Sequence, residues 1–248
     1  MSTTGLGMPA LPPRTAQPTW KQAWDTALYG PAGYLRSNPL TLTRDRAELS
    51  AFVAERAERY DEVVLLGAAG LLAPDLSARV PHLLIRGDLP DRFGGIVVAV
   101  DWLAHVPTHV IHADDDGRPR IVHVDPVTGE EILGSLVADA GVPPTIDEWL
   151  SRYWPLPEAF ARAEVGTARE AAWRDVVRRL DGGAAIALEP GHTRETRPAD
   201  GSLRTPSGAL PVPDGARDLL ADVALDALAE SCGGRFVEHP ELSRVEVG

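Results

Sequence analysis

Three short apolar runs, each closed by turn residues, most constrain what this chain can fold into. They are "EVVLLG" (62–67), "GGIVVAVD" (94–101) and "AAIALEPG" (184–191). Each run is apolar at consecutive positions and bounded by breakers, the pattern of a strand buried on both faces. A fourth, "HLLIRGD" (82–88), has the same form. Helical periodicity between about Ala69 and Arg79 separates the first run from "HLLIRGD". Strands alternating with helices predict an α/β fold with a mostly parallel central sheet. Ligands of such sheets bind beyond the carboxyl ends of the strands, near the point where the strand order reverses. That puts "LGAAG", "VDWLAHVP" and "ALEPGHT" on one rim.

The flanking segments complete the outline. Residues 1 to about 18 are rich in Pro, Thr and Gly and predict a mobile segment. "PTWKQAWDTALYG" places Trp20, Trp24, Ala27 and Leu28 at helical spacing, stopped by Gly30-Pro31. A second helix is expected over Arg44 to Tyr60, with Leu49, Phe52, Val53 and Ala57 on one face. "THVIHA" and "RIVHVD" around "DDDG" predict a β-hairpin, and "DPVTGEEIL" a turn into another strand. Helices follow at "TIDEWLSRYWP", with Thr145 as cap, and "TAREAAWRDVVRRLDGG", with Thr167 as cap. A long polar loop, "TRETRPADGSLRTPSGALPVPDG", has the length of a lid or binding loop. A last helix is expected over about Ala216 to Ser231. The organisation expected is a flexible segment (1–18) and one domain (19–248), with the hairpin inserted at about 106–136.

Composition narrows the partners. A formal net charge of -12 argues against nucleic acid and anionic membrane, both of which attract basic surfaces. The single cysteine, Cys232, fits a reducing cytoplasm, and the start of the chain lacks a secretory pattern. Lys21 is the one lysine beside 23 arginines, a bias of GC-rich bacterial genomes. No metal is expected. His109 and His112 are three apart on a strand and face opposite sides, His105 and His123 add no ligand spacing, and no cysteine lies near.

A set of motifs in order along the chain resembles the MidA-like proteins, relatives of the mitochondrial complex I assembly arginine methyltransferase. "ALYGPAGYL" is similar to their N-terminal "ALY-x-P-x-x-GYY" signature. "VVAVDWLAHVP" resembles their "ANE-aromatic-x-D-x-x-P" strand and loop, "RAEVG" their "EIS/EVG" element, and "AAIALEPGHTRE" their "ID-Y-GH" strand. "GSLRT" and "DGARDLLADVALDAL" match later segments. The resemblance implies a Rossmann-like methyltransferase fold that binds S-adenosylmethionine and acts on a protein or small-molecule acceptor. It implies cofactor contacts at Gly67, Ala68, Gly70, Asp88, Asp101 and Trp102. His192 sits beside Glu189 on the same rim, a His–carboxylate pair suited to proton transfer near neutral pH, so Glu189, His192 or Asp101 is expected to orient or deprotonate the acceptor.

The departures from that pattern are specific. The acid before the family's first glycine is Leu66 here, and Leu71 adds apolar bulk after Gly70. Asp88 is the one candidate for the acid that holds a ribose, and the segment around it is short by about one strand. Asp101 replaces a glutamate, and Glu189-Pro190 replaces Asp-Tyr. Two readings follow. One is a methyltransferase that uses S-adenosylmethionine. The other is a methyltransferase fold with weak or lost cofactor binding, which supports a protein partner, forms a homodimer, or serves other pathway chemistry.

Overall fold

The computed structural model describes residues 17–155, 159–239 and 242–248. All but the last two residues of the expected mobile segment lie outside these. The three apolar runs form β1 (Glu62–Gly67), β3 (Ile96–Val100) and β8 (Ala184–Leu188), and "HLLIRGD" supplies β2 (Leu84–Arg86). β8, β3, β1 and β2 lie side by side, all parallel. At the far edge β12 (Arg244–Val247) pairs antiparallel with β8, and β11 (Arg235–Val237) antiparallel with β12. The fold is thus α/β with a mostly parallel central sheet, as expected.

Burial follows the pleat. Val63 and Leu65 of β1, Ile96, Val98 and Val100 of β3, and Ile186 and Leu188 of β8 pack against α2 (Arg46–Ala57) and α3 (Ala73–Arg79). The alternate residues, Val64, Val97, Ala99, Ala185 and Ala187, pack against Trp173 and Val176 of α5 (Thr167–Arg178) and Leu225 and Leu228 of α6 (Leu225–Cys232). Both faces are covered by helices, so neither can be polar.

The excursion between β3 and β8 is larger than a hairpin. β4 (Val110–Ala113) and β5 (Pro119–Val124) form the expected pair, turned at Gly117 with φ +75°, while Asp114 accepts the amides of Asp116 and Arg118. β6 (Glu131–Leu136) extends it on one side and β7 (Arg162–Glu164) on the other, giving a four-stranded antiparallel sheet. α4 (Thr145–Tyr153) packs on it with Ile146, Trp149 and Leu150. α1 (Trp20–Tyr29) packs on it with Trp20 and Trp24. β9 (Gly191–His192) and β10 (Val223–Ala224) form a short parallel pair beside the main rim.

Three local expectations need correction. Thr145 and Thr167 are the first residues of their helices and not caps; Pro144 and Gly166 occupy those positions with no side-chain cap bond. Glu170, one turn into α5, accepts the indole N–H of Trp149 and does not cap the helix. The last helix starts at Leu225, because Leu220 is held in a bridge to Arg204 and the Leu219 carbonyl accepts the Trp24 indole N–H.

Candidate functional site

The strand order reverses at β1, where the chain passes from β2 on one side to β3 on the other. β1, β3 and β8 end level: Gly67 is in register with Val100, and Val100 with Leu188. Gly67, Asp101 and Glu189 therefore share one rim, as their sequence positions implied. Asp88 follows β2 beside them and is exposed.

Gly67 has φ +64°, and a Cβ there would lie 2.6 Å from both the Trp102 Cβ and the Val100 carbonyl oxygen. The glycine is required because the loop leaving β3 crosses directly against it. Ala68 and Ala69 are buried in the core against α2 and α3. Gly70 is exposed, with open space where a Cβ would stand. Leu71, expected to crowd the turn, is exposed. Trp102 is half-buried and packs beside Leu66 on the α5–α6 side.

Asp101 is fully buried, with φ +48°. Such backbone costs roughly 1–2 kcal/mol for a residue with a Cβ and persists where its surroundings over-determine it. Here they do. The carboxylate accepts the Thr43 amide at 2.9 Å, the Thr43 hydroxyl at 2.9 Å and Arg44 Nη1 at 3.0 Å. Its amide donates to the Leu188 carbonyl at 3.1 Å. Its carbonyl, which can only accept, takes a hydrogen bond from the His105 Nδ1–H at 2.6 Å. His105 Nε2 meets the Asp218 carboxylate at 3.1 Å. Burial opposes charge on His105, but Asp218 and the Asp101 carbonyl outweigh it and hold the imidazole above its ordinary value.

Glu189 is also fully buried. It accepts the amides of Trp102, Leu103 and Ala104, each at 3.0 Å, and so caps the single helical turn at Leu103–His105. Burial first, and then the nearby Asp101 carboxylate, push Glu189 up to about 7 against the three amides. Arg169, whole within the core, ties the same turn down by donating to the carbonyls of Ala104, Val106 and Asp222. Burial lowers it to about 10.

The structure does not join Glu189 to His192. Glu189 is engaged with the amides, while both ring nitrogens of His192 are buried without a hydrogen-bond partner. His192 lies edge-on to Trp154, ring centroids 4.8 Å apart. Burial first, with the Arg197 charge, lowers it to about 4, so the ring is neutral near pH 7.

These elements can be set beside known structures. The chain superposes on a COG1565 superfamily protein from Burkholderia thailandensis with TM-score 0.60 and 20% identity, over 89% of this chain and 72% of that one. It superposes on a second member from the same organism, taken to be a methyltransferase and bound to S-adenosylhomocysteine, with TM-score 0.64 and 18% identity, over 89% and 73%. The chain shares the fold of these two proteins. No protein-family model matches the sequence, and no curated protein does. The fold implied by the MidA-like motifs is the fold observed.

On this rim Gly70 and Asp88 are exposed, and Trp102, in the loop after β3, is half-buried. Leu66 offers no hydrogen-bond acceptor. Thr43, Arg44, His105, Asp218 and Arg169 were missed from the sequence. No motif marks "LTLTRD", and its partner Asp101 is 58 residues away from Thr43.

Proposed function

We propose that this protein is a methyltransferase-like protein of MidA-like type, taking S-adenosylmethionine or S-adenosylhomocysteine over the end of β1. The observation that carries this is the level rim of β1 and β3 at the strand-order reversal, on a fold that in a neighbour holds S-adenosylhomocysteine. Gly67 and Ala68 shape the turn, Gly70 leaves backbone open to a ligand, Trp102 offers a flat wall, and Asp88 is placed to meet ribose hydroxyls. Asp101 and Glu189 act on the site indirectly, by fixing the loop that carries Trp102. His192, neutral near pH 7 and lowered to about 4, is too weak a base to deprotonate an acceptor and serves to orient it. The acceptor is a small molecule or a protein, and the setting a bacterial cytoplasm. Among the described residues no helix is long and apolar enough to cross a membrane.

Affinity should be low. With Leu66 at the end of β1, one charge-assisted hydrogen bond is lost, about 1.5–3 kcal/mol or roughly 10- to 150-fold. The full engagement of Asp101 by Thr43 and Arg44 favours a second reading, in which the cofactor is no longer used and the fold serves a protein partner or a second copy. Calorimetric titration separates them. Binding of S-adenosylmethionine and S-adenosylhomocysteine at about 0.01–1 mM supports the first reading; heats flat through several millimolar (~5 mM) support the second.

A further inference from the structure

At the amino ends of β3 and β8, opposite the rim, a cavity of about 490 Å³ lies between the end of α2 and the edge pair β11–β12. Its apolar wall is made by the half-buried Tyr60, Ala184 and Val247. Three arginines line it from two elements: Arg56 and Arg59 at the end of α2, and Arg235 at the start of β11.

These arginines are not equally neutralised. Arg235 pairs with Glu246 at 2.8 Å, and Glu246 also holds Arg244 at 2.6 Å. Glu55, the other acid at the cavity, is 76% exposed and 3.7 Å from Arg56. The guanidinium carbon of Arg56 lies 3.5 Å from the centroid of the Phe52 ring, and its Nη1 donates to the Phe52 carbonyl at 3.3 Å. Its Nε and Nη2 have no acceptor among the described residues, and neither is enclosed by protein. The Arg59 side chain is exposed and has no hydrogen bond or ion pair among the described residues. Arg244 lies 4.9 Å from the same Phe52 ring. Burial first, then the like charge of Arg244, with a smaller share from Arg59, hold Arg56 below its ordinary value against the pull of Glu246 and Glu55. In a chain of net charge -12, like positive charges are thus gathered at one cavity with donors to spare, and an anion among them would relieve the repulsion.

We propose that this cavity binds a phosphorylated small molecule, its phosphoryl oxygens on Arg56 and Arg59 and its apolar body against Tyr60 and Ala184. A phosphate monoester brings up to two charges and three acceptor oxygens, enough for more than one arginine, whereas a carboxylate is filled by a single guanidinium fork. The volume has room for both the phosphoryl group and a small organic body. The overall negative charge disfavours the phosphates of nucleic acid and of a membrane surface, which leaves a free small molecule. The site lies the length of β3 from the β1 rim, roughly 15 Å, and does not rest on the methyl-transfer reading.

Phenyl phosphate is a suitable probe, with phenol as the body alone and inorganic phosphate as the anion alone, each titrated calorimetrically into the full chain. Phenyl phosphate should bind below about 1 mM, and phenol and inorganic phosphate about 10-fold or more weaker. Arg56→Gln should weaken phenyl phosphate by about 10- to 150-fold. That variant also loses the contact with Phe52 and can melt lower, so Arg59→Glu is the deciding one. It reverses an exposed charge that has no partner to lose, and should weaken phenyl phosphate by about 5-fold or more at an unchanged melting temperature. Titration of S-adenosylhomocysteine should be the same in parent and variants, so the two sites succeed or fail separately. The proposal is overturned by no phenyl phosphate binding up to about 10 mM, by phenol or inorganic phosphate binding as tightly as phenyl phosphate, or by unchanged phenyl phosphate affinity in Arg59→Glu.

Discussion

The β1–β3–β8 rim and the β9 corner treat their buried polar groups in opposite ways. At the rim, Asp101 and Glu189 sit where a cofactor site is expected, and the chain itself satisfies them, through Thr43, Arg44 and three successive amides. At the corner, His192 is buried with no hydrogen-bond partner, and the half-buried Arg197 keeps two nitrogens without an acceptor. A buried polar group with a full set of partners holds structure. One kept without partners carries a cost that the rest of the fold must offset. By that criterion the rim acids are held by the chain itself, and the corner carries buried polar groups that the chain leaves without partners.

The largest test of this contrast is Asp101→Ala. It leaves the Arg44 guanidinium and the Thr43 amide facing an emptied pocket, and should cost about 3–5 kcal/mol in urea unfolding. A loss below about 1 kcal/mol would mean the acid is free for a ligand after all. Next comes acid titration of His192. Its folded value is depressed to about 4, below the ordinary 6.5, so the unfolded chain takes up the proton first. Stability contributed by the neutral ring is therefore whole above pH 6.5 and is lost as pH falls toward 4, on the order of 3 kcal/mol. His192→Gln should flatten that part of the curve relative to the parent. An unchanged acid slope in the variant would show that His192 is not buried neutral in solution.

The smallest effects distinguish the two glycines of the β1 turn. Gly67→Ala places a methyl against Trp102 and the Val100 carbonyl at positive φ, and should destabilise by about 1–3 kcal/mol. Gly70→Ala meets open space and should be neutral or gain about 0.4–1 kcal/mol. Thermal melts of both variants, run together with S-adenosylhomocysteine, then sharpen the site: only Gly70→Ala should alter the ligand-induced shift without altering the fold.

The central strands were legible because burial on both faces leaves a continuous apolar run, visible in "IVVAV" without any knowledge of its neighbours. The rim positions were legible for the same reason, since a strand's end is fixed by where that run stops. What the end residues bond to was not. Asp101 pairs with Arg44, 57 residues away, and Glu189 with amides more than 80 residues away, and neither loop carries a periodic signal. The helix expected from Ala216 failed on similar grounds. The apolar spacing of Leu219, Leu220 and Val223 suits a helix, but pairing with Arg204, Trp24 and Gly191 draws the segment out straight. The second sheet was read only as a hairpin, because β7 is three residues long and is identified by its partner β4 alone.

The place of β8 also bears on how the chain is made. β3 lies between β1 and β8, yet the whole antiparallel sheet and α4 and α5 are synthesised before Ala184 can pair with Ile96. Through that interval the apolar strand "IVVAV" has one open edge, the condition under which strands from different chains join. A chain stopped within α5 leaves that edge uncovered, so it should be caught in aggregates far more than one that has reached β8.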